Sequence, residues 1–352
     1  QIHNPQKIKL PPYYPDTPIV RKTVARFHDC VTAMDQEVGE ILKQLQEDGL
    51  AENTIVFFFS DHGSGMPRHK RALLDSGMHV PLLVRLPKKW QHFAQVKPGQ
   101  TTDRLVSFVD FGPTMLNLAG TSIPSHMQGR PFLGKNTETK RKYVYGHRDR
   151  VDEVRDFARS VRDKKYLYIR NYMPHLGYNQ PTAWPDIGEI RHEFYKLAKS
   201  GKMNPSQSHF AGPRRPIEEL YDCENDPLNL TNLVNSPKHQ KILKKMRSEH
   251  LRYSLEIRDW GYIPEYEAWE MSKGSSGWMV GKASKVKWGK IIDAAELMGR
   301  AKESKFVTNL KSENETIRYW ATIGLGAYEK KLSNDSISAL EKALKDSSAS
   351  VR

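Results

Sequence analysis

Asp61 and His62 stand side by side, followed by Gly63, at the end of the apolar run Thr54-Ile55-Val56-Phe57-Phe58-Phe59. A carboxylate and an imidazole on adjacent residues can both face one cation held in a loop. The carboxylate is the hard oxygen donor that calcium prefers, whereas the imidazole better suits zinc- or manganese-like ions. Taken alone, the pair reads more simply as an ordinary turn with a bystander histidine. The neighbouring residues change that balance: Lys70, flanked by Arg68 and Arg71, leads into Leu73-Leu74-Asp75-Ser76-Gly77-Met78-His79-Val80-Pro81-Leu82-Leu83-Val84.

The elements that must position these residues can be read from periodicity. Apolar residues recur at three- and four-residue steps from Ile19 to Asp48 (Val24, Phe27, Val31, Met34, Val38, Ile41, Leu42, Leu45), which predicts a helix stopped by Gly49. The β-branched and aromatic run at 54–59 and a second run, Val80–Arg85, suit strands buried on both faces of a parallel sheet. With a helix over about Val109 to Leu118, this order predicts an α/β core with Asp61 and His62 at a strand's carboxyl end, where ligands collect. From Tyr143 the texture changes. Lys142–Tyr145, Phe157–Val161, Tyr166–Arg170 and Glu219–Asp222 alternate like strands of an antiparallel sheet, with core packing the default for Tyr166, Tyr168 and Tyr172. Met173–Pro216 reads as a Pro/Gly-rich loop region and Ser236–Asp259 as an amphipathic helix.

After Gly274-Ser275-Ser276-Gly277 the sequence repeats itself. Leu310–Arg318 recurs as Leu344–Arg352, an offset of 34 residues, with the helical stretch Tyr319–Tyr328 between the copies. Self-similarity at this period is the mark of stacked helical repeats, and the texture resembles HEAT-type repeats. The expected organisation is therefore a core portion over 1–137, a smaller antiparallel α+β subdomain over 138–272 and a helical repeat segment over 273–352.

Composition narrows the function classes. The 352 residues carry 55 Lys/Arg against 41 Asp/Glu, a net charge of +14 that favours anionic partners. No helix-turn-helix, RRM, KH or zinc module is recognisable, so a polyanionic glycan or a surface property accounts for the charge better than nucleic acid. No run of eighteen apolar residues exists to span a membrane. Cys30 and Cys223 make neither a metal-ligand spacing nor a disulfide framework. The opening residues, QIHNPQKIKL, lack the apolar core of a signal peptide and an initiating methionine, and the sequence is expected to begin inside a longer protein.

The ordered motifs resemble the formylglycine-dependent sulfatases of the alkaline phosphatase superfamily, in their heparan N-sulfatase-like branch. The resemblance covers about residues 1–270. It rests on Ser60-Asp61-His62-Gly63 with Lys70 and Val80–Val84, on Leu105–Thr114, on Met127–Phe132, on Tyr145–Arg150, and on Glu219–Asp222 with Asp226-Pro227. It implies hydrolysis of sulfate esters or sulfamates, in a sulfated polysaccharide, with a divalent cation (calcium the usual one) and a formylglycine nucleophile. It further implies that Asp61 and His62 are metal ligands and that Lys70 grips sulfate oxygens, where an ammonium offsets leaving-group charge. A solvated loop lysine is the plainer alternative.

His147 and Arg148 are candidates to touch substrate, the arginine by its planar fork, with a salt bridge to Asp149 or Asp152 nearly as good an account. His79 is a further substrate-binding candidate that could instead brace the loop. Neither cysteine has the formylglycine context, so the nucleophile and the remaining metal ligands are expected outside this chain, which should be inactive by itself. Two rival functions remain: a phosphonate or phosphate ester hydrolase of the same superfamily, and a non-catalytic protein that binds partners through its repeats. Sulfated glycans are met outside the cytoplasm, so a periplasmic or secreted location is expected by analogy.

Overall fold

The computed structural model describes residues 2–137, 139–283 and 286–352. Helix α1 (Pro18–Glu47) opens with Pro18 at its first position and Thr17 as cap, the Thr17 hydroxyl accepting from the Val20 amide. Its periodic apolar face is only partly used. Val20, Val24 and Ala25 are buried, while Val31, Met34, Ile41 and Leu42 face outward.

Strand β1 (Val56–Phe59), the one-turn helix α2 (Asp75–Met78), strand β2 (Leu82–Arg85) and helix α3 (Phe111–Leu118) come next. Here the structure departs from the expected parallel sheet: β1 and β2 pair with each other, antiparallel, Phe57 opposite Val84 and Phe59 opposite Leu82. A parallel pair needs a crossover long enough to return the chain to the same end. Between Phe59 and Leu82 the chain instead doubles back through α2. Nor are the strands buried on both faces, since Phe59 is 42% and Leu83 59% exposed.

The second sheet is antiparallel, as expected, but its last three strands are buried on both faces rather than alternately. Strands β3 (Val144–Arg148), β4 (Ala158–Arg162) and β5 (Tyr166–Asn171) run into helices α4 (Glu189–Ser200) and α5 (Pro205–Ala211), then strand β6 (Glu218–Asp222). The order is β3-β4-β5-β6, antiparallel throughout. Cross-strand partners share a face. Ala158, Leu167, Ile169 and Tyr221 pack on Ala72, Leu73 and Leu74 of the segment between β1 and β2. Val161, Tyr168 and Leu220, on the other face, pack on Leu243 and Met246 of helix α6 (Gln240–Glu256). The region 173–216, expected as loop, contains α4 and α5. Half of the α4 residues that turn inward (Ile190, Arg191, Glu193, Phe194) are charged, which hides the helical period.

Helices α7 (Glu265–Ser272), α8 (Gly277–Ala283), α9 (Trp288–Glu296), α10 (Glu303–Asn309), α11 (Glu315–Gly326) and α12 (Asn334–Ala343) complete the chain. Their core is continuous with the sheet's. Trp288, Ile292, Phe306 and Trp320 join Phe157, Tyr172 and Tyr262 in one buried cluster, and the Trp320 indole donates to the Tyr262 carbonyl at 2.8 Å. The Arg170 guanidinium, fully enclosed, donates to the carbonyls of Glu296 (3.1 Å) and Met298 (2.9 Å). The 34-residue repeat has a geometric counterpart: Arg318 donates to the carbonyls of Ser312 and Glu313, and Arg352 to those of Asp346 and Ser347. Arg318 also grips the Asp346 carboxylate, at 2.7 and 2.8 Å, so one copy binds the next.

Candidate functional site

The segment that leaves β1 is held in a narrow fold by two glycines. The Gly63 amide donates to the Gly77 carbonyl at 3.0 Å, and a Cβ on Gly63 would lie 2.0 Å from the Ser76 carbonyl oxygen. A Cβ on Gly77 would meet the carbonyl oxygens of Ala72 and His69 at 2.3 and 2.4 Å. Only glycine permits these approaches. Between the two, Arg68 (φ 68°) and Arg71 (φ 72°) adopt the left-handed conformation that non-glycine residues enter only when their surroundings enforce it. Arg68 is buried, its guanidinium donating to the carbonyls of Leu228 and Asn229 and lying 4.4 Å over the Tyr13 ring. It is a clamp rather than a loop charge. Arg71 pairs with Asp152 at 2.5 Å. Lys70 sits between these two fixed residues, its amide donating to the Ser64 carbonyl.

His62 and Lys70 open on one cavity of about 390 Å³, within the ordinary range for small-ligand sites. Its other charged walls are Arg68, Arg71, Arg148 and Arg191, and among the described residues no carboxylate lines it. Three of these guanidiniums are already neutralised, Arg71 by Asp152, Arg148 by Asp156 and Arg191 by Asp186. Lys70 alone of the lining cations has no acceptor for its side chain among the described residues, and its side chain is exposed. A cavity with an unpaired ammonium and no lining acid is suited to an anion.

Asp61 and His62 lie at the carboxyl end of β1, as expected. The His62 Nδ1 is 2.6 Å from the Gly63 carbonyl, which makes Nδ1 the donor of that bond, so in the neutral tautomer Nε2 is the nitrogen that can face a cation. Nε2 lies 3.4 Å from the Asp61 Oδ2, and the Asp61 side chain is 80% exposed. Two donors this close can share a cation. They do not complete a site: among the described residues no group of three or more His, Cys, Asp or Glu side chains gathers to hold a metal. The residues present thus fit part of a metal site.

The other expected site residues separate. Arg148 lies on the cavity wall and ion-pairs with Asp156 at 2.6 Å, not with Asp149 or Asp152. Burial lowers its guanidinium's proton affinity, which the Asp156 charge opposes. His147, the preceding residue of β3, points to the opposite face. There it lines a second, more open cleft with Asp149, Tyr253 and Asp259, 4.0 Å from Asp259. Burial and then the Arg159 charge lower its pKa. His79 caps α2, its amide donating to the Asp75 carbonyl at 2.8 Å, with its side chain exposed outside both cavities. Cys223 is buried, with its thiol pushed up to about 12 by burial, and both cysteines are free.

Sequence reasoning missed several residues that line the cavity or brace the Lys70 segment. His69 bridges Tyr13 (3.1 Å) and Ser64 (2.8 Å), and burial together with the weaker effect of the Arg68 charge lowers its pKa to about 4. His209 contacts the enclosed Glu219 carboxylate at 2.7 Å, which also accepts from the Tyr178 and Tyr221 hydroxyls. Burial alone would raise the Glu219 carboxyl. The His209 charge and these hydrogen bonds outweigh burial and hold it at about 2. Tyr178, Trp184 and Arg191 come from the region read as loop, where aromatic residues interleaved with arginines were the available signal.

Comparison with known proteins meets this geometry. A family model described as Sulfatase matches residues 3–121, and one described as N-sulphoglucosamine sulphohydrolase, C-terminal, matches residues 66–199. Over these residues the chain belongs to the sulfatase family. Among its sulfatase relatives, an ulvan-active sulfatase of Formosa agariphila is 40% identical over 262 residues, covering 74% of this chain and 43% of the relative. Human N-sulphoglucosamine sulphohydrolase is 26% identical over 284 residues, covering 75% of this chain and 54% of the relative. The chain thus spans about half the length of the curated relatives it matches. A solved structure of a 2-O GAG sulfatase superposes with a TM-score of 0.50 at 23% identity, over 68% of this chain and 44% of that one, a likeness of fold. The first match ends in the connection after α3, and the second runs from the Lys70 segment through β3, β4 and β5 into α4, taking in Arg148 on the cavity wall.

Proposed function

We propose that the protein to which this chain belongs hydrolyses sulfate esters or sulfamates of a sulfated polysaccharide, and that the His62–Lys70 cavity binds the sulfate. The observation that carries this reading is the unpaired Lys70 ammonium on an acid-free wall, in a segment of sulfatase-family sequence. The names of two relatives, one ulvan-active and one acting on N-sulphoglucosamine, support a polyanionic glycan as substrate.

In this reading Asp61 and His62 hold part of a divalent cation site, with calcium the expected ion. That cation and a formylglycine supplied from outside this chain would furnish the electrophilic charge and the nucleophile. Lys70 holds a sulfate oxygen and offsets negative charge as the ester bond lengthens. Arg148 and Arg71 keep Lys70 in place. His147 and His79 lie outside this cavity, so the reading gives them no contact with the sulfate.

We read residues 1–137 as a portion of the catalytic core, 138–272 as the subdomain walling its mouth, and 273–352 as HEAT-like repeats that offer a surface to a protein partner. The equivalent carbonyl bonds of Arg318 and Arg352 support the repeat. A sulfated-glycan substrate supports a periplasmic or secreted location.

The test is sulfate release from ulvan and from heparan fragments by the full-length protein. Asp61→Ala and Lys70→Ala should each lower turnover by roughly 10²–10³-fold. Turnover of the Lys70→Ala protein at the wild-type rate would remove the reading.

A further inference from the structure

At the mouth of the Lys70 cavity the chain makes a short turn, Thr182-Ala183-Trp184-Pro185-Asp186-Ile187-Gly188, three of whose residues put apolar side chains on the cavity's rim. Trp184 is 75% exposed and Ile187 69% exposed, beside Pro185. Solvent-facing indoles on mobile segments are common enough, but this one is held. The Asp186 carboxylate accepts from the Thr182 amide (3.1 Å), the Arg191 guanidinium (2.6 Å) and the Tyr195 hydroxyl (2.9 Å). The backbone closes on itself twice, the Asp186 amide on the Thr182 carbonyl and the Gly188 amide on the Pro185 carbonyl, each at 3.0 Å. The Ala183 amide donates to the Glu153 carboxylate at 2.5 Å, which ties the turn to the loop after β3. A bulky apolar side chain carried into water on a turn whose backbone is fixed, where burial would have stabilised it, is configured for a ligand.

The ligand's chemistry can be read from the two ends of the cavity. The inner wall carries Lys70 and His62, polar and suited to an anionic substituent. The rim carries the apolar side chains of Trp184, Pro185 and Ile187. One class of molecule joins those properties over a short distance: a sugar ring whose axial C–H face is apolar and whose substituents are charged. Indole faces pack well against such C–H surfaces, and a rigid aromatic has little conformational entropy to lose on binding.

We infer that Trp184, with Pro185 and Ile187, is a stacking platform for a sugar ring of the sulfated oligosaccharide whose sulfate enters the Lys70 end. The inference rests on the proposed sulfate-binding role of that cavity. Trp184 is here a specificity-determining residue: it distinguishes a sulfate borne on a sugar from a free sulfate ion.

The experiment measures binding to this chain by calorimetry, using a sulfated ulvan oligosaccharide and, separately, sodium sulfate. Wild type is compared with Trp184→Ala, Trp184→Phe and Lys70→Ala. Because the indole is exposed, its removal should leave the circular dichroism spectrum unchanged. Trp184→Ala should weaken the oligosaccharide by roughly tenfold and leave sodium sulfate unaffected, and Trp184→Phe should recover most of the loss. Lys70→Ala should weaken both probes. Oligosaccharide binding by Trp184→Ala at the wild-type affinity overturns the platform. If Lys70→Ala then still loses both probes, the sulfate site stands without it. If Lys70→Ala also binds as wild type, the sulfate site falls as well. A wild-type chain that takes up neither probe overturns both.

Discussion

The guanidinium of Arg148 donates to the carbonyl oxygen of Arg71 at 2.6 Å. One bond thus joins the first strand of the antiparallel sheet to the residue after Lys70, and it reaches a backbone position already held in a left-handed conformation. The same guanidinium meets Asp156, which Arg215 also engages; Asp156 and Arg215 are shut off from water, while Arg148 keeps an edge on the cavity. Removing one member of a buried charge group leaves the others uncompensated. Arg148→Ala should therefore destabilise the chain by about 3 kcal/mol in urea unfolding at pH 7, and should weaken sulfate binding with it. Arg148→Lys, a point charge without the fork, should recover only part of either loss.

Acid should unfold the chain in two stages. His69 is held near 4, below its ordinary 6.5, so the unfolded chain takes up a proton there that the folded chain refuses. Its stabilising contribution is complete above about pH 6.5 and is lost as pH falls towards 4; His147 acts in the same direction. Glu219, held at about 2 against an ordinary 4.5, adds a second loss between those values, worth roughly 3 kcal/mol. Unfolding free energies at pH 7, 5 and 3 for wild type and Glu219→Gln would show it. The variant should be weaker at pH 7 and flatter between pH 5 and 3. Equal slopes would place the acid sensitivity elsewhere.

Gly77→Ala should be among the most damaging small substitutions. Its methyl would press on two backbone carbonyls, which cannot turn away as a flexible side chain would. The expected cost is about 2 kcal/mol in stability. Sulfate binding should fall further than global stability accounts for, because the displaced backbone carries Lys70. Ala at Gly39, where a Cβ meets nothing within 4 Å, is the matched control and should be neutral or slightly stabilising.

Truncation before residue 286 should not release a soluble four-stranded unit. It would strip Trp288, Ile292 and Trp320 from the cluster around Tyr172 and Tyr262, and would leave the enclosed Arg170 without its Glu296 and Met298 acceptors. Size-exclusion chromatography and near-ultraviolet circular dichroism of residues 2–283 should report aggregation or loss of fixed aromatic packing. A monodisperse, cooperatively unfolding product would contradict this.

Local composition made the second sheet readable: short runs bounded by turn residues marked its strands, although β4, β5 and β6 are in fact buried on both faces. The first sheet misled because an apolar run such as Val56–Phe59 states only that burial is favourable. It does not name the partner, and the partner is the β2 strand, reached after a reversal that no residue pattern announces. Asp61, His62 and Lys70 were legible through motif order. Arg191, Tyr178 and His209 were not, since they reach the cavity from helices and loops more than a hundred residues away in sequence. Arg148, named with His147 as a candidate to touch substrate, lies on the wall of the Lys70 cavity, but its partner, Asp156, lies on the loop before β4 rather than beside it.

Strand β3 places His147 and Arg148 on opposite sides of a sheet, so the frame in which this strand is read matters as much as its composition. Inserting or deleting one residue within it would exchange the two side chains and turn a histidine towards the Lys70 cavity while the arginine faced the cleft behind. Two residues would restore the phase. A change of length in the connection between β2 and β3 leaves this phase untouched, whereas within β3 only even steps preserve it.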